Sequence, residues 1–263
     1  LEAGVYECME KPTDPESLKF KELRLHLLTV AGLLRSRKRF FNTRAMGPGS
    51  RFFMPPGKEA PAAAASKALG GRVQVVAMAA STGGPEILSR IFSILPKDLN
   101  VPLLLVQHIP KEMTRFLARS LNEKSELDII EAESGQEVLP ARVYVAPGGQ
   151  HMTVSGPDPA GRRTIVLNSD PPVNSVRPSA DILFQSVARS YSGPVMAVVL
   201  TGMGEDGRQG VAELKENTQC TCISQDARSC VVYGMPRAVD EAGLSDESLD
   251  PLSITQKIVM CAK

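Results

Sequence analysis

One stretch constrains the fold more than any other: residues 73–95, VQVVAMAASTGGPEILSRIFSIL. The run Val73–Ala79 is apolar, rich in β-branched side chains and too short for a globular helix, so it predicts a buried strand. Small residues follow at once, Ala80, Ser81, Thr82, Gly83 and Gly84. Pro85 then suits a first helical turn, and Ile87, Leu88, Ile91, Phe92 and Leu95 recur at helical spacing. The segment reads as strand, tight turn, helix. The glycine pair allows positive φ and sets Ser81 or Thr82 beside backbone N–H groups with no helical acceptor. Such a turn either presents a nucleophile or holds an anion.

The rest of the chain repeats this alternation. Strands are expected at Val101–Val106, Leu127–Glu131, Arg142–Val145, Val195–Leu200 and Cys220–Ser224. Helices are expected at Met113–Asn122, Ser179–Tyr191, Gly207–Asn217, Pro236–Ala242 and Ser253–Cys261. His151–Ser155 and Arg163–Leu167 predict a hairpin across Gly156–Gly161. Continuous apolar strands spaced by helices imply an α/β fold. The expected architecture is a doubly wound, mainly parallel sheet with helices on both faces and an antiparallel hairpin addition.

Before residue 72 the character differs. Residues 1–34 predict a short strand, Gly4–Met9, and a capped helix carrying Leu18, Leu23, Leu27 and Leu28. Residues 35–71 combine Arg35, Arg37, Lys38, Arg39, Arg44, Arg51 and Lys58 with Gly, Pro and an Ala-rich piece, which is linker composition. The chain opens on Leu1, so a piece of a longer protein is expected. A net charge of +1 gives no general pull toward nucleic acid or membrane. With no Trp and 5% aromatic residues, the case for a base-stacking surface is weak. Apolar runs stay short of the ~18 residues of a membrane span and no signal-peptide pattern opens the sequence, so no membrane insertion and a cytoplasmic protein are expected. The five cysteines are scattered without a ligand cluster, so reduced thiols, no metal and no cofactor are expected.

In a parallel sheet, sites form at the carboxyl ends of strands. Ser81 follows the first strand, His108 the second, and Asp206 stands in Gly202-Met203-Gly204-Glu205-Asp206-Gly207 after a later one. A hydroxyl to attack, an imidazole to take its proton and a carboxylate to orient the imidazole are what nucleophilic acyl transfer requires. Each residue also has a plainer reading: Ser81 as a helix cap, His108 as a loop histidine, Asp206 as a cap of the next helix. Their common edge favours the catalytic one. His151 follows a Pro-Gly-Gly turn that accounts for its position, and His26 lies in the N-terminal helix. Gly202–Gly207 also fits G-x-G-x-x-G, with Asp226 near the spacing of a ribose-binding acid. Glu205 and Asp206 would set two negative charges where a pyrophosphate must lie, so a dinucleotide-binding enzyme ranks below acyl transfer.

Six motifs together resemble the catalytic domain of the chemotaxis protein-glutamate methylesterase family (CheB). They are Ala80–Gly84, Gln107–Pro110, Val145–Met152, Arg177–Asp181, Leu200–Gly207 and Gly234–Arg237, in the family's order across residues 72–263. The resemblance implies Ser81 as nucleophile, His108 as general base and Asp206 as its orienter. It also implies the Met203 backbone N–H as an oxyanion donor and Thr82 as support for the turn. The implied reaction is hydrolysis of methyl esters on glutamate side chains of chemoreceptor cytoplasmic helices, with deamidation of receptor glutamines by the same chemistry. Gly4-Val5-Tyr6 followed by Lys11-Pro12 resembles the end of a receiver domain, in which Lys11 would contact the phosphorylated aspartate. A chemotaxis histidine kinase is the implied partner of the full receiver, and ester hydrolysis without a phosphodonor is expected of this chain. Glu205 departs from the family's usual Asn or small residue; its carboxylate is expected to act on His108 or to repel an acidic receptor helix. A receptor-binding regulator without catalysis is the remaining alternative.

Overall fold

The computed structural model describes residues 72–263; the expected receiver remnant (1–34) and linker (35–71), with Lys11 and His26, lie outside them. The strands are β1 (Val76–Ala80), β2 (Leu103–Gln107), β3 (Asp128–Glu131), β4 (Arg142–Val145), β5 (His151–Val154), β6 (Ile165–Asn168), β7 (Pro194–Val199), β8 (Gln219–Gln225) and β9 (Glu247–Leu249). The helices are α1 (Gly84–Phe92), α2 (Lys111–Asn122), α3 (Ala180–Ser190), α4 (Arg208–Asn217), α5 (Met235–Glu241) and α6 (Pro251–Ala262).

Seven strands form one sheet in the order β3-β4-β2-β1-β7-β8-β9, every pairing parallel. Side chains alternate across a strand, so each strand feeds two cores. Val76, Met78, Leu103, Leu105, Val143 and Val145 pack with Leu88, Ile91 and Phe92 of α1, Leu117 of α2 and Ile254 and Ile258 of α6. Ala77, Leu104, Val106, Tyr144 and Val195 pack with Leu183 and Phe184 of α3, Val211 of α4 and Met235 of α5. Every residue of β1 and β2 is buried, because both faces are covered and nothing in those strands meets water. The doubly wound, mainly parallel architecture is therefore as expected.

The hairpin forms, with His151 opposite Asn168 and Val154 opposite Ile165, but it makes a separate two-stranded sheet that packs on α3. Strand β1 starts at Val76, three residues later than its apolar run suggests. β9 was not foreseen: its three residues, ESL, carry no apolar alternation and pair on the sheet edge beside β8. Asp250 caps α6 by accepting from Leu252 N and Ser253 N, which sets that helix start two residues before the expected one. Among the described residues no helix is long and apolar enough to cross a membrane.

Strand β1 lies between β2 and β7, so the chain winds outward in opposite directions on its two sides. This reversal is where an open α/β sheet leaves a crevice at its carboxyl edge. Ser81 follows β1, His108 follows β2, and the loop bearing Asp206 follows β7. Three residues distant in sequence therefore reach one edge from neighbouring strands.

Candidate active site

The turn after β1 is held from three sides. Ser81 N donates to Thr201 O at 2.9 Å, and Gly84 N donates back to Ser81 O at 2.8 Å. The buried Gln107 amide donates from Nε2 to Ser81 O at 2.9 Å and to His108 O at 3.1 Å, tying the two loops together. Gly83 takes φ +82°, and a Cβ there would lie 2.5 Å from Val231 Cβ. A Cβ on Gly84 would lie 2.0 Å from Gln107 Oε1. Gly83 is thus required by backbone sign and by space, and Gly84 by space.

Thr201 braces the same turn from β7. Its hydroxyl donates to Thr82 O at 2.9 Å and accepts from Val231 N and Val232 N. Thr82 is buried, and its carbonyl gives the turn a direct link to the β7 loop. Met203 is half-exposed beyond Thr201, and its backbone N–H meets no acceptor among the described residues.

His108 and Asp206, 98 positions apart in sequence, meet at 2.8 Å between Nε2 and Oδ2. Asp206 is 3% exposed, so its charge must be satisfied internally. It lies against the N-terminus of α3, accepting from Ala180 N at 2.6 Å and Asp181 N at 3.2 Å. Ser179 Oγ donates at 2.6 Å and Asn174 Nδ2 at 3.3 Å. Burial pushes the Asp206 carboxyl up, but the bonds from His108, Ser179 and Ala180 outweigh it and hold it below its ordinary value. An ionised Asp206 makes Nε2 the protonated ring nitrogen, which leaves the lone pair of the neutral ring on Nδ1. The Asp206–His108 arm is closed; among the described residues the Ser81 hydroxyl makes no hydrogen bond to the ring.

His151 is buried away from the reacting edge. Its Nδ1 accepts from Ser179 N at 3.2 Å and its Nε2 donates to Pro171 O at 3.1 Å, so it holds the residue that caps Asp206. Sequence reasoning assigned no role to Ser179, Asn174, Gln107 or Thr201. The Arg177–Asp181, Gln107–Pro110 and Leu200–Gly207 motifs contained three of them, but each has a partner 26 or more positions away.

Glu205 and Asp206 diverge despite being adjacent. The Glu205 carboxylate faces Arg208 at 3.2 Å, both side chains about half exposed (54% and 49%), in a cleft of about 550 Å³ lined also by Met203, Tyr233, Arg237 and Glu241. The backbone N–H groups of Gly207 and Gly210, where a pyrophosphate would have to bind, are occupied by the Asp181 carboxylate at 3.0 and 2.7 Å. The Gly202–Gly207 loop is therefore not a dinucleotide site.

Residues 76–258 match the family model described as CheB methylesterase. A protein from Desulfotalea psychrophila named protein-glutamate methylesterase/protein-glutamine glutaminase is 37% identical over 266 residues, covering 100% of this chain and 73% of that one. A protein of the same name from Bacillus subtilis is 36% identical over 267 residues, covering 100% and 72%. The crystal structure of the Thermotoga maritima CheB methylesterase catalytic domain superposes with a TM-score of 0.69 at 38% identity, covering 73% of this chain and 99% of that one. The fold, the edge at which the motifs meet and these similarities agree, and the chain belongs to the CheB methylesterase family.

Proposed function

We propose that this chain hydrolyses glutamate methyl esters of chemoreceptors with Ser81 as nucleophile, His108 as general base and Asp206 as the group that orients His108. The observation that carries the assignment is the 2.8 Å His108–Asp206 bond, formed at the strand edge where Ser81 emerges. Ser81 Oγ attacks the ester carbonyl while His108 Nδ1 takes its proton, and Asp206 stabilises the imidazolium through Nε2–H. The tetrahedral oxyanion is received by the Met203 backbone N–H. The intermediate collapses as His108 returns the proton to the departing methanol. Water, activated by the same ring, then frees the glutamate. A glutamine side chain follows the same path with ammonia as leaving group, which accounts for deamidation without further groups. Thr82 supports the turn through its carbonyl.

The test is methanol release from methylated chemoreceptor membranes by the parent chain and by Ser81→Ala. Release that disappears in a variant of unchanged thermal stability supports the mechanism; equal release removes Ser81 from it. The same reading assigns residues 1–34 to the end of a receiver domain and 35–71 to a tether. It places the protein in the cytoplasm, with a chemotaxis histidine kinase acting on the full receiver. Alignment of the Desulfotalea psychrophila protein over the whole chain supports a counterpart for the N-terminal 71 residues.

A further inference from the structure

Helices α3 and α4 cap each other with carboxylates. Asp206, at the entry to α4, accepts from the first amides of α3, and Asp181, in the first turn of α3, accepts from Gly207 N and Gly210 N of α4. Each carboxylate meets the positive end of the other helix, which stabilises both charges. Two buried carboxylates side by side repel, and one side chain bridges them. Asn174 Nδ2 donates to Asp181 Oδ2 at 2.8 Å and to Asp206 Oδ1 at 3.3 Å. The bridge comes from a loop whose backbone is itself committed to it: Asn174 has φ 51°, the left-handed region that most residues avoid.

From this arrangement we propose that Asn174 and Asp181 are positioning residues for the reaction, holding the Asp206 carboxylate in line with His108 Nε2. Asp181 secures the α4 end of the Asp206 loop through Gly207 and Gly210. Asn174 ties Asp206 Oδ1 to that anchor. Neither side chain makes a hydrogen bond to Ser81 or His108 among the described residues. Without the bridge, Asp206 keeps the Ser179 Oγ, Ala180 N and Asp181 N bonds and stays buried, but Oδ1 loses its link to the Asp181 side chain and the carboxylate shifts among its remaining donors. The His108 ring, bonded to Oδ2, shifts with it.

The inference rests on the catalytic assignment above, and its test keeps the two apart. Asn174→Gly keeps the left-handed backbone and removes the bridge. Asp181→Asn keeps Oδ1, the atom that accepts from both Gly207 and Gly210, but turns an amide donor toward Asn174. Steady-state kinetics on methylated receptor would be measured for each variant alone, with Ser81→Ala as control, and for Asn174→Gly combined with Asp206→Asn. The expected result is a tenfold loss of kcat for Asn174→Gly at unchanged KM, about 1.4 kcal/mol of transition-state stabilisation. In the Asp206→Asn background the same change should cost less than twofold, because the group through which it acts is already altered. A loss of equal size in both backgrounds, a change confined to KM, or full activity in Asn174→Gly overturns the inference. Should Asp181→Asn fail to fold, the Asn174→Gly pair decides alone. Persistent turnover in Ser81→Ala would instead remove the catalytic assignment.

Discussion

Gly84→Ala sets two ordinary effects against each other. At the first residue of α1, alanine is the better helix former by up to about 1 kcal/mol. Against this, the new Cβ would lie 2.0 Å from Gln107 Oε1 and 2.9 Å from Ala80 Cβ, and both neighbours are buried. To restore contact distance the amide has to move by roughly an ångström or more, and it is the one group that bonds both Ser81 O and His108 O. Losing those two neutral bonds costs about 1 kcal/mol each, and crowding a filled site adds about 1–3 kcal/mol. The clash wins, with a net destabilisation of about 2–4 kcal/mol after the helix gain is subtracted. For a domain of this size that is a fall of about 5–15 °C in Tm. Displacing the two loops also moves Ser81 relative to His108, with a loss of about 10–100-fold in kcat. Thermal unfolding and ester turnover would be measured for Gly84→Ala, Gln107→Ala and the pair together. In the Gln107→Ala background the Cβ no longer meets the amide but still crowds Ala80 Cβ, so Gly84→Ala there should cost about 2 kcal/mol less than in the parent. A Gly84→Ala protein that melts within 2 °C of the parent, with kcat within about twofold, would refute the account of why two glycines follow Thr82.

Three further outcomes follow from the site. Because the folded Asp206 carboxyl lies below its ordinary value, its stabilising contribution is present above the unfolded value of about 3.9 and is lost as pH falls through the folded one. Ser179→Ala removes one charge-assisted bond of about 1.5–3 kcal/mol, so urea denaturation should show a constant deficit near neutrality that shrinks as pH falls through the carboxylate range. A deficit independent of pH would mean that Ser179 acts on packing alone. Asp206→Asn should lower kcat by about 10³–10⁴ at neutral pH by disturbing the His108 tautomer, measured as methanol release with folding checked by circular dichroism. Glu205→Asn removes an exposed pair worth at most about 1 kcal/mol, so Tm should hold within about 4 °C. Arg208 is then released for acidic groups of the receptor, and KM should fall while kcat is unchanged; a raised KM would show that Glu205 assists docking.

Asp181 and Asp206 also show how like residues separate by environment. Burial and the neighbouring charge of Asp206 push the Asp181 carboxyl up, while the donors on Asp206 bring it down. Protonation on acidification therefore falls on Asp181 first. The residue that contacts His108 is the one built to keep its charge.

How much of this was legible in the chain follows from the range of each signal. Val76–Ala80 and residues 103–106 read as strands because burial on both faces makes them continuously apolar, a local property. The α1 stripe of Ile87, Leu88 and Ile91 is equally local, and so are the polar stops at Ser81, His108 and Asp206. The antiparallel hairpin was legible as well, whereas the short edge strand Glu247–Leu249 was not, since what decides it is pairing with β8. Glu205 and Asp206 are neighbours of the same charge, and nothing in their order says that one faces solvent and Arg208 while the other is buried against His108.

The sequence by itself determined the class of fold, the turn that carries Ser81 and the edge at which a serine, a histidine and an aspartate would emerge. These depend on hydrophobic period, helix-start residues and glycine, all of which act over a few positions. Tertiary structure decided that β1 lies between β2 and β7, and with that which side chains share a crevice. It also decided the ring nitrogen that faces Asp206 and the clamp of Ser179, Asn174 and Asp181 around it. Those contacts join groups from loops and helices far apart in sequence, and a buried charge takes whatever donors the completed fold brings within reach.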